Sequence, residues 1–136
     1  MKSDMLAITE TVLVGSLATV NQDGSPWSTP LHMVFTDEQV IWLSPADTQH
    51  SRNIERDPRV SIVLWSSAEL PNVKGVYVQT TAERVEGVAE VAARQRYAAR
   101  LGGSIPERFA DAETYVAPLG DINTTKTRGG RLYFDG

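Results

Sequence analysis

The sequence predicts an α+β protein dominated by β structure, folded as a closed or nearly closed antiparallel barrel. Three observations lead there. Short β-branched and apolar runs recur along the chain, separated by compact turn signatures such as Asp23-Gly24 and Gly129-Gly130. Six or seven such runs stand against only two or three helical segments, and the connections are mostly short, which disfavours parallel βαβ winding. A sheet of that many strands in 136 residues removes most of its exposed edges by closing on itself.

Each element has a local reason. Ser3 or Asp4 is placed to cap a short N-terminal helix carrying Leu6 and Ala7. Val12 to Val20 is β-branched and apolar, and Asn21-Gln22-Asp23-Gly24 supplies the positive φ that a tight hairpin demands. The returning strand runs from Pro26 to Phe35, turns at Thr36-Asp37-Glu38-Gln39, and continues as Val40 to Leu43, so that three strands form a meander. Ser44-Pro45-Ala46-Asp47 breaks the pattern. Thr48 to Arg56 then reads as a helix with Asp47 or Thr48 as N-cap, stopped by Asp57-Pro58.

Val60 to Trp65 is the next strand, Ser66 to Asn72 a polar loop, and Gly75 to Val85 a long strand. Residues 87–101 read as a helix with Val88, Val91, Ala92 and Ala99 on one face and a Glu90–Arg94 pair on another. Gly102-Gly103 ends it, and Pro106 to Ala112 suggests a further short helix. Two last strands, Ile122 to Arg128 and Arg131 to Phe134, turn at Gly129-Gly130.

Composition narrows the function. Apolar residues make up 41% of the chain, enough for a core and too many for disorder. No linker, repeat or low-complexity tract divides the chain, so one domain over residues 1–136 is expected. The absence of cysteine excludes disulfides and thiolate chemistry and fits a reducing, cytoplasmic location. No run approaches the roughly 18 apolar residues of a membrane span. A net charge of −4 argues against nucleic acid as the main partner. With His32 and His50 as the only histidines, a metal site is not expected.

Two stretches carry the chemistry. Ser44 to Asn53 feeds a strand end through a loop into a helix N-terminus, where free N–H groups and the dipole favour an anion. Ser44, Thr48, Gln49, His50 and Arg52 add hydroxyl, amide, imidazole and guanidinium donors suited to a phosphate monoester. The other reading is a well-capped surface helix. The second stretch is Trp27 to Met33, where Pro30 interrupts a strand and frees backbone groups able to read the edge of a flat polar ring. Ser28 and Thr29 could add hydroxyls toward a phosphate. The competing reading is an ordinary edge strand. Trp27, Trp42 and Trp65 read as core or interface filling rather than cofactor stacking.

Gly15-Ser16-Leu17-Ala18-Thr19-Val20, Asp23-Gly24-Ser25-Pro26 and the stretch Thr48 to Val63 resemble the pyridoxamine 5′-phosphate oxidase-like FMN-binding split-barrel superfamily. The order of the pieces is the family's, closely over residues 5–86 and loosely beyond. The resemblance implies a six-stranded antiparallel split β-barrel of Greek-key type, with FMN in a groove between the two subunits of a homodimer. Thr29 then falls where the oxidase has a phosphate-binding arginine, and Ser44 lies near the ring and ribityl chain. Thr48, Gln49 and His50 match the Ser-Arg-Lys phosphate turn, and Arg52 restores part of the lost charge. Backbone groups from Pro30 through Leu31 to His32 face the isoalloxazine edge.

The resemblance departs on the substrate side. Val34 stands where the oxidase has a lysine, and the tail Arg131 to Gly136 lacks its arginine–x–histidine element. True pyridoxamine-phosphate oxidase activity is therefore not expected. The leading expectation is a flavin-dependent oxidoreductase of unassigned substrate, in which the cofactor performs the redox step, with a nicotinamide as a possible donor. The alternatives are a flavin carrier or sensor without turnover, and the same fold holding a deazaflavin or haem.

Overall fold

The structure, a computed structural model, describes residues 7–10 and 12–136. The described residues form two sheets. A six-stranded sheet has the order β2 (Pro26–His32), β1 (Val14–Val20), β5 (Arg59–Glu69), β6 (Asn72–Thr81), β10 (Arg131–Asp135), β9 (Asp121–Ile122), and a four-stranded sheet the order β3 (Val34–Phe35), β4 (Gln39–Ser44), β8 (Glu113–Pro118), β7 (Glu83–Val85). Residues 7–10 are helical, designated α1; Ser3, Asp4 and Leu6, the expected cap and apolar residue, lie outside the described residues.

Strand β1 (Val14–Val20) and β2 (Pro26–His32) make the expected hairpin, with Gly24 at φ +86° in its turn. The second strand then leaves the sheet. Met33, buried in the core, carries the chain across to β3 (Val34–Phe35), which pairs with β4 (Gln39–Ser44) in the other sheet. The expected three-strand meander is thus split between two sheets at Met33.

Strand β4 is buried along nearly its whole length because both its faces are covered. Val40 and Trp42 enter the barrel core with Leu17, Phe35, Ile62, Leu64 and Val78. Ile41 and Leu43 join a second cluster with Val34, Val116, Ala93 and Tyr97 beneath a helix. A strand sandwiched in this way reads as a continuous apolar run without alternation.

Helix α2 (Gln49–Arg56) starts at Thr48, whose hydroxyl accepts from the Ser51 N–H, and stops at Asp57, ahead of Pro58. Strand β5 (Arg59–Glu69) and β6 (Asn72–Thr81) are joined by a tight turn at Leu70-Pro71. The polar loop expected over 66–72 is therefore mostly strand. Ser66 pairs with Lys74 and Glu69 with Asn72 across a register shift, so polar side chains here mark a solvated hairpin end. The long second strand breaks at Ala82, after which β7 (Glu83–Val85) belongs to the other sheet.

Helix α3 (Gly87–Arg100) buries Ala93 and Tyr97, while Val88 is 88% and Val91 58% exposed. The expected apolar face points to solvent. The Glu90–Arg94 pair lies on the docking side: Arg94 donates to Thr114 Oγ1 at 3.0 Å and to the Ala112 carbonyl, and Thr114 donates to Glu90 at 3.0 Å. Alanine on every side of this helix left its apolar stripe ill-defined in sequence.

Beyond α3, only Glu107–Phe109 forms a short 3-10 turn in place of the helix expected over 106–112. Strand β8 (Glu113–Pro118), absent from the sequence reading, pairs with β4 and β7 at the centre of the small sheet. The strand expected over 122–128 is reduced to β9 (Asp121–Ile122), followed by a turn organised by Asn123. Finally, β10 (Arg131–Asp135) pairs in parallel with β6, the one parallel pair among otherwise antiparallel strands of the described residues. The long intervening connection makes this possible, since parallel neighbours need a crossover rather than a hairpin.

Candidate functional site

The end of β4 and the start of α2 form a hydrogen-bonded plug. His50 is 7% exposed, and its Nε2 shares hydrogen bonds with Ser44 Oγ at 2.7 Å and Thr48 Oγ1 at 3.2 Å. Thr48 Oγ1 also donates to the Pro45 carbonyl or to Ser51 Oγ at 2.8 Å. Burial holds the His50 imidazole below its ordinary pKa, so it is neutral near pH 7. His50, expected as a phosphate donor, is here turned inward and satisfied by its own turn.

The outward side of α2 carries the charge. Gln49, Arg52, Asn53 and Arg56 face the β1–β2 hairpin residues Asn21 and Asp23 across a cleft of about 530 Å³. The spacing i, i+3, i+4, i+7 places these four on one helical face. Two of them tie the walls together: Gln49 Nε2 and Asn53 Nδ2 each donate to Asn21 Oδ1 at 2.9 Å. Asn53 also donates to the buried Thr19 hydroxyl at 3.0 Å. Arg56 reaches the Val20 carbonyl and Asn53 Oδ1, whereas Arg52 is exposed on the cleft. The cleft thus carries an exposed guanidinium at Arg52 and a second, Arg56, bonded into the frame, beside the Asp23 carboxylate, and guanidinium groups are the donors that suit a phosphate.

The β2 half of the predicted site is divided by the pleat. Antiparallel partners share a face, so Thr29 and Leu31 lie on the barrel side with Leu17 and Gly15. Ser28, Pro30 and His32 lie on the other face. There Ser28 Oγ shares a 2.6 Å hydrogen bond with Ser16 Oγ, and His32 Nδ1 shares one of 2.5 Å with Tyr97 Oη. Burial and then the Arg108 charge hold His32 below its ordinary pKa, and burial raises that of Tyr97. Strand β2 is a sheet edge, as Pro30 suggested. Of the three tryptophans, Trp42 is fully buried, while Trp27 and Trp65 are 40% and 45% exposed.

The structure therefore groups Ser44, Thr48 and His50 in one network, Gln49 and Arg52 in the cleft, and His32 with Tyr97 on the far side of the small sheet. Sequence reasoning missed Asn21, Asn53 and Arg56. The signal was present in the helical spacing from Arg52 and in the asparagine opening the hairpin. It also missed Tyr97, whose partnership with His32 spans 65 positions and leaves no local pattern.

Among the described residues, no group of three or more His, Cys, Asp and Glu side chains is arranged to hold a metal ion. No helix among them is long and apolar enough to cross a membrane. Comparison with curated proteins gives no match. Solved structures are similar in fold. A haem-binding protein from Mycobacterium smegmatis matches at 27% identity and TM-score 0.66 over 84% of this chain, which spans 49% of that protein's length. The haem storage protein HutZ from Vibrio cholerae matches at 21% identity and TM-score 0.70, covering 88% of this chain and 91% of HutZ. An F420 reductase matches at 23% identity and TM-score 0.62, covering 82% and 90%. The family model for pyridoxamine 5′-phosphate oxidase matches residues 1–122. With the split two-sheet barrel and the strand–turn–helix plug in place, that match over most of the sequence settles the family: this chain belongs to the pyridoxamine 5′-phosphate oxidase family.

Proposed function

We propose that this protein binds FMN as a homodimer and acts as a flavin-dependent oxidoreductase on a substrate other than pyridoxamine phosphate. The observation that carries the reading is the cleft between the hairpin and α2, where Arg52, Arg56 and Gln49 converge at the end of a strand–turn–helix unit. Arg52 and Gln49 would hold the phosphate, with Arg56 adding charge. Thr48, Ser44 and His50 would position the turn through their internal hydrogen bonds. The edge of β2, with the backbone from Pro30 through Leu31 to His32 and with Thr29 on one face and Ser28 on the other, remains the proposed surface for the ring and its substituents. When bound, FMN supplies the hydride and electron chemistry, and the chain's own part is to bind, orient and shield it. Against the oxidase activity itself, Val34, at the lysine position, is fully buried against the α3 cluster.

The test is titration of the protein with FMN and with riboflavin, followed by flavin fluorescence, for the native chain and Arg52→Gln. Losing one charge-assisted contact is expected to weaken FMN about tenfold, roughly 1.4 kcal/mol, and to leave riboflavin unchanged. Equal effects on both ligands, or no FMN binding, would remove the phosphate assignment. Reduction of the bound flavin by a nicotinamide donor separates an oxidoreductase from a carrier or sensor. Oxidised F420 in the same titration tests the deazaflavin alternative.

A second reading rests on His32. Its Nδ1 is engaged by Tyr97 Oη and its imidazole is kept neutral by burial, which is how a histidine is prepared to offer Nε2 to a metal. If haem bound in place of flavin, His32 would be the residue to hold its iron. A Soret band on adding hemin that disappears in His32→Ala would favour haem.

A further inference from the structure

We infer a second ligand site, separate from the hairpin–α2 cleft: a pocket for a small multivalent anion at the opposite side of the six-stranded sheet, built by Lys126, Arg128, Arg131 and Tyr133. These four residues line a cleft of about 510 Å³ that contains three cations and no carboxylate. The grouping is unusual in a chain whose net charge is −4.

The backbone fixes it. Arg128 and Arg131 face each other across the Gly129-Gly130 turn through reciprocal N–H···O=C bonds of 3.0 and 2.9 Å. Both glycines have positive φ, at +58° and +81°, as a two-residue turn of this kind requires. Residues directly opposed in an antiparallel bridge share a face, and like charges there repel. Lys126 is held beside them by the Asn123 turn, in which Asn123 Oδ1 accepts from the Lys126 N–H at 3.2 Å. The same turn is tied to β10, since the Asn123 N–H donates to the Tyr133 carbonyl and the Tyr133 N–H to Thr127 Oγ1. Tyr133 is stacked on Tyr77 with ring centroids 4.4 Å apart, giving the pocket a firm aromatic wall.

None of the three cations forms an ion pair among the described residues, whereas neighbouring Lys74 is paired with Glu69 at 2.8 Å. Arg131 Nε donates to the Val73 carbonyl at 3.4 Å, which meets no charge. Three cations lining one cleft without a counter-charge repel one another, and a bound anion relieves that repulsion. Arginine pairs match phosphate and carboxylate oxygens in particular. The overall acidity of the chain favours a small ligand over a nucleic acid strand. The chemistry assigned is thus a compact molecule bearing two or more phosphate or carboxylate charges.

The test is calorimetric titration of the full-length protein with pyrophosphate and, separately, citrate, using the native chain, the Arg128→Gln/Arg131→Gln double variant and Arg52→Gln. A saturable site distinct from any binding at the hairpin–α2 cleft is expected, weakened at least tenfold in the double variant and retained in Arg52→Gln. Tighter binding of pyrophosphate identifies a phosphate ligand, and tighter binding of citrate a carboxylate one. The inference is overturned if neither anion binds, if binding is lost in Arg52→Gln and kept in the double variant, or if a 12-mer oligothymidylate binds more tightly than both. Circular dichroism of the double variant, whose substitutions lie at exposed positions, checks that it is folded. Flavin affinity reads the hairpin–α2 cleft, so failure of either assignment is visible apart from the other.

Discussion

Replacing Asn53 by alanine tests the frame of the cofactor cleft. Asn53 is 4% exposed and makes three side-chain hydrogen bonds: to Thr19 Oγ1, to Asn21 Oδ1 and from Arg56. Their losses are unequal. Thr19 is 1% exposed, and Asn53 is the one side chain bonded to its hydroxyl among the described residues. Truncation leaves that hydroxyl buried and unsatisfied, at about 1–3 kcal/mol. Asn21 Oδ1 keeps Gln49 as a donor, and Arg56, an exposed residue that keeps its bond to the Val20 carbonyl, is left with water for the other. With the lost packing, Asn53→Ala is expected to cost about 2–4 kcal/mol. For a chain of this size that is a fall in Tm of roughly 8–16 °C.

Urea unfolding followed by tryptophan fluorescence measures this, since Trp42 moves from the core to water. Two comparisons isolate the cause. Gln49→Ala removes the exposed donor to the same Asn21 oxygen and is expected to change stability by less than about 0.5 kcal/mol. In a Thr19→Val background the buried hydroxyl is gone, so Asn53→Ala is expected to cost at least about 1 kcal/mol less than in the native chain. A cost below about 1 kcal/mol, or an equal cost in both backgrounds, would refute the assignment of the penalty to Thr19.

Stability is also expected to depend on pH through the two histidines. His32 and His50 have native pKa values below the ordinary 6.5, mainly from burial. Below that value the unfolded chain binds protons that the native chain refuses, so stability is full above pH 6.5 and declines as pH falls through it. The urea midpoint between pH 8 and pH 5 reads this, and a profile as steep in His50→Gln as in the native protein would remove His50 from the account. Gly15→Ala is expected to destabilise by about 1–3 kcal/mol, because its Cβ would stand 2.7 Å from the Val63 carbonyl and 3.0 Å from Met33 Sδ. A native-like Tm in that variant would show that β1 and β5 can part without cost.

What the sequence made legible follows from where the determining contacts lie. The β1–β2 hairpin, the start of α2 at Thr48 and its stop before Pro58 depend on residues a few positions apart, and they appear where local chemistry placed them. Strand β8 depends on β4 and β7, more than 25 positions earlier, and as a strand covered on both sides it shows no alternation. The docking face of α3 was illegible for a related reason. Its apolar residues are mostly alanines, and the contacts that orient it come from Thr114 and His32, on strands distant in sequence. Within the site, residue types were legible but directions were not. Nothing local distinguishes a histidine aimed at a ligand from one aimed at Ser44 and Thr48.

That difference in direction changes the electrostatics of the proposed phosphate site. In the resemblance, the charge at the strand–turn–helix junction comes from the turn itself. Here the turn carries no cation, and the guanidinium groups stand at Arg52 and Arg56, along the helix face that meets the hairpin. Cations on an exposed face avoid the desolvation that keeps His50 neutral, but salt screens them more strongly than a buried cation. Phosphate recognition built this way is governed by ionic strength.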